Sequence, residues 1–99
     1  MMLPRSDWIP IRTPMTTIGP DDQLRLTRWL VPNERLVRVD DPVCEIEMEK
    51  ATFEVTAPYT GVLHQARLAG SVLSENRVIS QQPIAWIERL SESQPESRP

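Results

Sequence analysis

The chain has 99 residues, which bounds it to one small domain. With 39% hydrophobic and 5% aromatic residues, its core must be built from Val, Ile, Leu and Ala, with three Trp as larger anchors. Ten Pro argue against a helical bundle, a net charge of −3 argues against a nucleic-acid partner, and one Cys with one His leaves neither a disulfide nor a usual zinc set.

Residues 1–10 show no sustained periodicity and are read as an irregular leader, laid over the end of the fold by Trp8 and Ile9. The opening Met1-Met2-Leu3-Pro4-Arg5 has no apolar signal core, and no apolar run reaches membrane-spanning length. A soluble, cytoplasmic protein without a membrane partner is expected. Residues 11–90 form the expected domain.

Within it the pattern alternates with period two. Leu24 and Leu26 face away from Arg25 and Thr27 in a strand over 23–30, which Pro32-Asn33 ends. A short strand over 36–39 stops at Asp40-Asp41-Pro42. Val43, Cys44 and Ile46 mark the next strand, with Glu45 and Glu47 facing out. Residues 45–51 have helix propensity. However, Cys44, Ile46 and Met48 keep period two, and the flanking Val43-Cys44 and Thr52-Phe53-Glu54-Val55 favour strands. Phe53 and Val55 alternate with Thr52, Glu54 and Thr56, then Ala57-Pro58-Tyr59-Thr60-Gly61 reads as a turn. Strands are expected over 62–68, 77–80 and 84–88, with a loop over 70–76. Residues 91–99, rich in Ser, Glu, Gln and Pro, cannot bury apolar surface and are expected to be a disordered tail.

The chain also repeats weakly. Glu34, Val37, Pro42, Ile46 and Glu47 recur as Glu75, Val78, Pro83, Ile87 and Glu88, at a constant offset of 41. Two copies suit a sandwich of two halves related by a pseudo-twofold axis. The expected fold is all-β.

The segment Glu47-Met48-Glu49-Lys50-Ala51 falls at the turn between two antiparallel strands. A lysine there has its amine in water, where it is mostly protonated and a poor nucleophile unaided. It is, however, accessible to a modifying enzyme that supplies the activated acyl group.

This stretch resembles the lipoyl domains of the 2-oxo-acid dehydrogenase acyltransferases, which typically show Glu-x-Asp-Lys-Ala at the attachment hairpin; here Glu49 stands for the Asp. Val55-Thr56-Ala57-Pro58, Gly61-Val62-Leu63 and Thr27-Arg28-Trp29-Leu30 also follow the family pattern, so the resemblance spans residues 11–88. It implies a flattened barrel-sandwich hybrid of two four-stranded antiparallel sheets with the lysine at a hairpin tip. It implies covalent lipoate on Lys50, with Glu47, Glu49, Ala51 and Gly61 read by the lipoate-attaching enzyme. It further implies a swinging-arm acyl and electron carrier without catalysis of its own. Its partners would be the dehydrogenase, acyltransferase and flavoprotein components, and the isolated domain would be a monomer. Glu45, Glu47, Glu49 and Glu54 would steer partner docking.

Some features depart from that pattern. Family members usually carry Gly-Asp turns in each half, where this chain has Glu34-Arg35 and Glu75-Asn76. The second half is longer near 68–74, and Met48 stands where Thr or Ser is common. These leave two alternatives, a biotin carrier and an unmodified interaction module of the same fold. Biotin carriers resemble Ala-Met-Lys-Met, whereas Glu49 and Ala51 flank the lysine here. Elsewhere, Cys44 is read as a core residue, His64 as a surface strand residue without a nameable partner, and Trp29 and Trp86 as packing anchors. No catalytic or metal site is expected.

Overall fold

The computed structural model describes residues 5, 7–14, 18–19, 22–49, 51–75, 78–79 and 82–90. The described residues hold nine strands: β1 Ile9–Arg12, β2 Arg25–Trp29, β3 Leu36–Val37, β4 Pro42–Met48, β5 Ala51–Thr56, β6 Gly61–Gln65, β7 Ser74–Glu75, β8 Val78–Ile79 and β9 Pro83–Arg89. No helix is present among the described residues, so none is long and apolar enough to cross a membrane. The all-β expectation holds, and every strand pair is antiparallel.

One sheet has four strands in the order β1-β9-β6-β3, and the facing sheet has three, β2-β4-β5. The second sheet therefore falls short of the four strands expected. Residues 70–74 lie along the free edge of β2, where Leu26 N donates to Ser71 O at 2.9 Å and Leu73 N to Leu24 O at 2.7 Å. Only the single bridge Arg25↔Val72 forms there, so the segment is a partial fourth strand. The chain then folds into the separate β7-β8 pair, with β7 inside the loop expected over 70–76.

The repeat at offset 41 is realised strand for strand. Pro42–Met48 and Pro83–Arg89 are β4 and β9, each internal to its sheet. Both ladders slip at the same step, around Val43 in β4 and around Ile84 in β9. A bulge lets two successive residues turn inward, which is why Val43-Cys44 and Ile84-Ala85 are all fully buried, breaking strict alternation in both halves. Exchanging β9 with β4, β1 with β5 and β6 with β2 maps one sheet order onto the other, the twofold relation the repeat implied.

The core between the sheets is aliphatic. Leu24, Leu26, Ile46, Leu63, Leu73, Ile84 and Ile87 are its largest fully buried side chains. Each such side chain contributes about 1.5–3 kcal/mol on leaving water. Cys44 sits among them, and burial pushes its thiol up to about 12. It is a small hydrophobe here, as expected.

The leader expected over 1–10 is corrected at its end, since Ile9 and Pro10 open β1 and pair with Ile87 and Trp86. Pro10 lacks an N–H, a defect an edge strand tolerates, and β1 is the edge. The tail expected over 91–99 lies outside the described residues.

The Gly-Asp turn that is absent in the first half leaves a mark. Glu34 takes φ of +62°, the left-handed region that glycine enters without steric cost. Asp40, at φ +74°, is of a residue type that tolerates that region better.

Candidate functional site

β4 and β5 pair through Glu47↔Thr52 and Met48↔Ala51. The ladder thus closes on a two-residue connection, positions 49 and 50. Lys50 itself lies outside the described residues. It is the only lysine in the sequence, the other ten cationic residues being Arg. The composition held that signal, which a count by residue type would have found.

The described neighbours of Lys50 are open to solvent. Glu47, Glu49 and Ala51 are all exposed, while Met48 is partly buried and packs on the core below. Next to the connection is an open depression of about 420 Å³ lined by Asp22, Gln23, Arg25, Glu47, Met48 and Glu49. Its rim carries three carboxylates against one guanidinium. Arg25, opposite Glu47 in the β2-β4 ladder, donates to Gln23 Oε1 at 2.9 Å and to Gly70 O at 3.5 Å. Farther down the sheet, Arg28 pairs with Glu45 at 3.0 Å. That leaves Glu47 and Glu49 without a cationic partner among the described residues.

Asp22 is a site residue the sequence reading missed. Its Oδ1 accepts from Glu49 N and from Gln23 N, each at 2.8 Å. The contact spans 27 residues, and a single Asp in a loop carries no local signal of it.

The structure brings Glu47, Glu49 and Ala51 to the hairpin end; it does not bring Gly61 there. Gly61 opens β6 after the 57–60 turn, a strand length or about 20 Å from the connection. It is buried between Val37 of β3 and Arg89 of β9. A Cβ on Gly61 would overlap the Glu88 carbonyl oxygen and come within 2.7 Å of Ile87 Cγ2. Its φ is unexceptional, so what demands glycine is the close approach of β9.

His64 also has partners that sequence reasoning could not name. Its ring stacks on Trp8 at 4.2 Å with 6° between planes, and its Nε2 lies 2.8 Å from Glu88 Oε1. This cluster fastens the segment before β1 to the outer face of the four-stranded sheet. Trp29 donates from Nε1 to Arg67 O at 3.0 Å while packing against the core, which bears out its anchoring role. No group of three or more His, Cys, Asp or Glu suited to a metal ion occurs among the described residues.

The described residues form an all-β sandwich of two related halves, with Glu47, Glu49 and Ala51 exposed at the end of one hairpin. The family model for the biotin/lipoyl attachment domain, described as "Biotin-requiring enzyme", matches residues 10–87, and the chain belongs to that family. Its members are carrier domains that hold lipoate or biotin covalently on a lysine. No curated protein matches the chain. The described residues fit such a group, since Glu49 and Ala51, on either side of Lys50 in the chain, are both exposed.

Proposed function

We propose that Lys50 is the attachment residue and that the group it carries is lipoate, making the chain a swinging-arm carrier for a 2-oxo-acid dehydrogenase-type complex. One observation carries the reading: the chain's only lysine falls within Glu47-Met48-Glu49-Lys50-Ala51, on a connection two residues long between paired strands. Lipoate is favoured over biotin because Glu49 and Ala51, rather than two methionines, flank the lysine.

Attachment forms an amide between Lys50 Nζ and the carboxyl carbon of an activated acyl donor. The attaching enzyme supplies that donor, the activating group leaves, and the amine proton passes to solvent. A lipoyl group, when bound, supplies a dithiolane able to take up an acyl group and electrons. The protein's own residues do three things. The β4-β5 ladder sets Lys50 between exposed Glu49 and Ala51 in the chain. Glu47, Glu49 and Ala51 form the surface that the attaching enzyme reads. Glu47 and Glu49, without a cationic partner among the described residues, steer the dehydrogenase, acyltransferase and flavoprotein components toward the tip. Tethering then makes each visit effectively intramolecular. Gly61 contributes to recognition by holding the fold, through packing against β9. The chain has no catalysis of its own in this reading, and a reducing, cytoplasmic setting suits its lone buried Cys44.

The test is the intact mass of the chain after incubation with a lipoate ligase, lipoate and ATP, beside a biotin ligase with biotin, and beside Lys50→Arg in both. A lipoyl adduct absent from the variant supports the reading. A biotinyl adduct replaces lipoate with biotin, and no adduct from either enzyme overturns the carrier function in favour of an interaction module.

A further inference from the structure

We infer that Asp22 is a positioning residue for attachment, its carboxylate holding the Lys50 connection in the pose that the modifying enzyme accepts. The inference rests on the carrier reading above. In a tight turn the N–H of the residue after the connection donates to the carbonyl of the residue before it. The first amide of a two-residue connection then has no partner within the hairpin. In this hairpin that amide is Glu49 N, and Asp22 Oδ1 accepts it at 2.8 Å.

Asp22 is itself held on its other side. The same oxygen accepts from Gln23 N at 2.8 Å, and Asp22 N donates to Gly19 O at 3.2 Å, closing a turn. The residues that follow are fixed to residues 70–74, since Leu24 N donates to Ser74 Oγ at 3.0 Å and Leu73 N donates to Leu24 O at 2.7 Å. The connection is thus tied through one carboxylate oxygen to a segment bonded to the partial fourth strand. A two-residue link that presents a long, flexible side chain gains most from such a tie, because immobilising the backbone beforehand lowers the entropy lost on docking.

Removing the acceptor should free Glu49 N and loosen the link, while the core strands keep their packing. Asp22→Ala removes acceptor and charge, whereas Asp22→Asn removes the charge and keeps an acceptor oxygen. Two readouts on the whole chain separate position from electrostatics. They are hydrogen exchange of the Glu49 amide by NMR, and initial rates of adduct formation with the ligase that modifies the wild type, resolved into kcat and KM. Asp22→Ala is expected to exchange Glu49 N faster and to lose about tenfold in kcat/KM, mainly through KM. Asp22→Asn is expected to stay near wild type in both, and both variants should keep the wild-type Tm. A modified wild type together with unchanged exchange or unchanged kinetics in Asp22→Ala overturns the positioning role alone. Equal loss in both variants assigns the effect to charge and also overturns it. A wild type that neither ligase modifies overturns the carrier reading and this inference with it.

Discussion

Gly61→Ala separates packing from surface recognition. The new methyl would strike the Glu88 carbonyl oxygen and lie 2.7 Å from Ile87 Cγ2, inside any van der Waals contact. Overfilling a packed interior costs about 1–3 kcal/mol. The obstacle here is the backbone of β9, internal to the four-stranded sheet, which cannot swing aside as a side-chain end would. The cost therefore belongs near the upper limit, about 3 kcal/mol, a large share of the roughly 5–15 kcal/mol available to a chain of this size. Urea unfolding followed by Trp fluorescence reads it directly, and with a slope of about 1 kcal/mol per molar the midpoint falls by about 3 M. Below that midpoint the folded variant should accept its adduct at the wild-type rate, since Gly61 lies a strand length from the hairpin end. A variant within about 0.5 kcal/mol of wild type would refute the packing argument. A stable variant that is no longer modified would restore a direct recognition role.

Other perturbations follow from the same geometry. Glu34→Gly relieves a left-handed φ of +62° and should raise stability by about 1 kcal/mol, read as a higher Tm; an unchanged or lower Tm would show that the turn is unstrained. His64→Ala removes both the stack on Trp8 and the contact with Glu88, and should cost about 1 kcal/mol and shift Trp8 emission toward the red. Unaltered fluorescence would mean that the segment before β1 is held by other contacts. Cys44 gives a pH dependence. Its folded pKa of about 12 lies above the ordinary value of 9.0, so the folded state holds the thiol proton more tightly. The stability linked to it is complete below pH 9 and falls through the window from 9 to 12, by up to about 1.4 kcal/mol per pH unit. The difference between wild type and Cys44→Ala in alkaline urea titrations isolates that slope, and parallel curves would contradict it.

The features visible in the sequence were those with a local period or a repeat. β4 and β9 could be read because Val43, Cys44 and Ile46 recur as Ile84, Ala85 and Ile87 at one offset, and the shared bulge explains why two neighbours in each point inward. A turn near 48–51 was legible for the same reason, with period two on both sides of it, and the ladder narrows it to 49–50. What escaped depended on neighbours distant in sequence. Ile9-Pro10-Ile11-Arg12 is too short and too Pro-marked to read as a strand, and becomes one because β9 offers it an edge. Residues 70–74 follow β2 for one bridge and then leave it for the β7-β8 pair. Asp22 reaches Glu49 only after β2 and β4 have paired. Gly61 could be marked by resemblance, but its reason, the approach of β9, exists only in the folded sheet.

The claim on which the rest stands is that the chain is acylated at one amine. Because Lys50 is the only lysine of the 99 residues, a proteolytic peptide covering residues 39–67 holds every lysine-linked adduct they can carry. Tandem mass spectrometry of that peptide, from protein co-expressed with lipoate and biotin ligases together, should show the lipoyl mass on residue 50. An unmodified peptide recovered from cells in which both ligases label their own substrates would contradict the account.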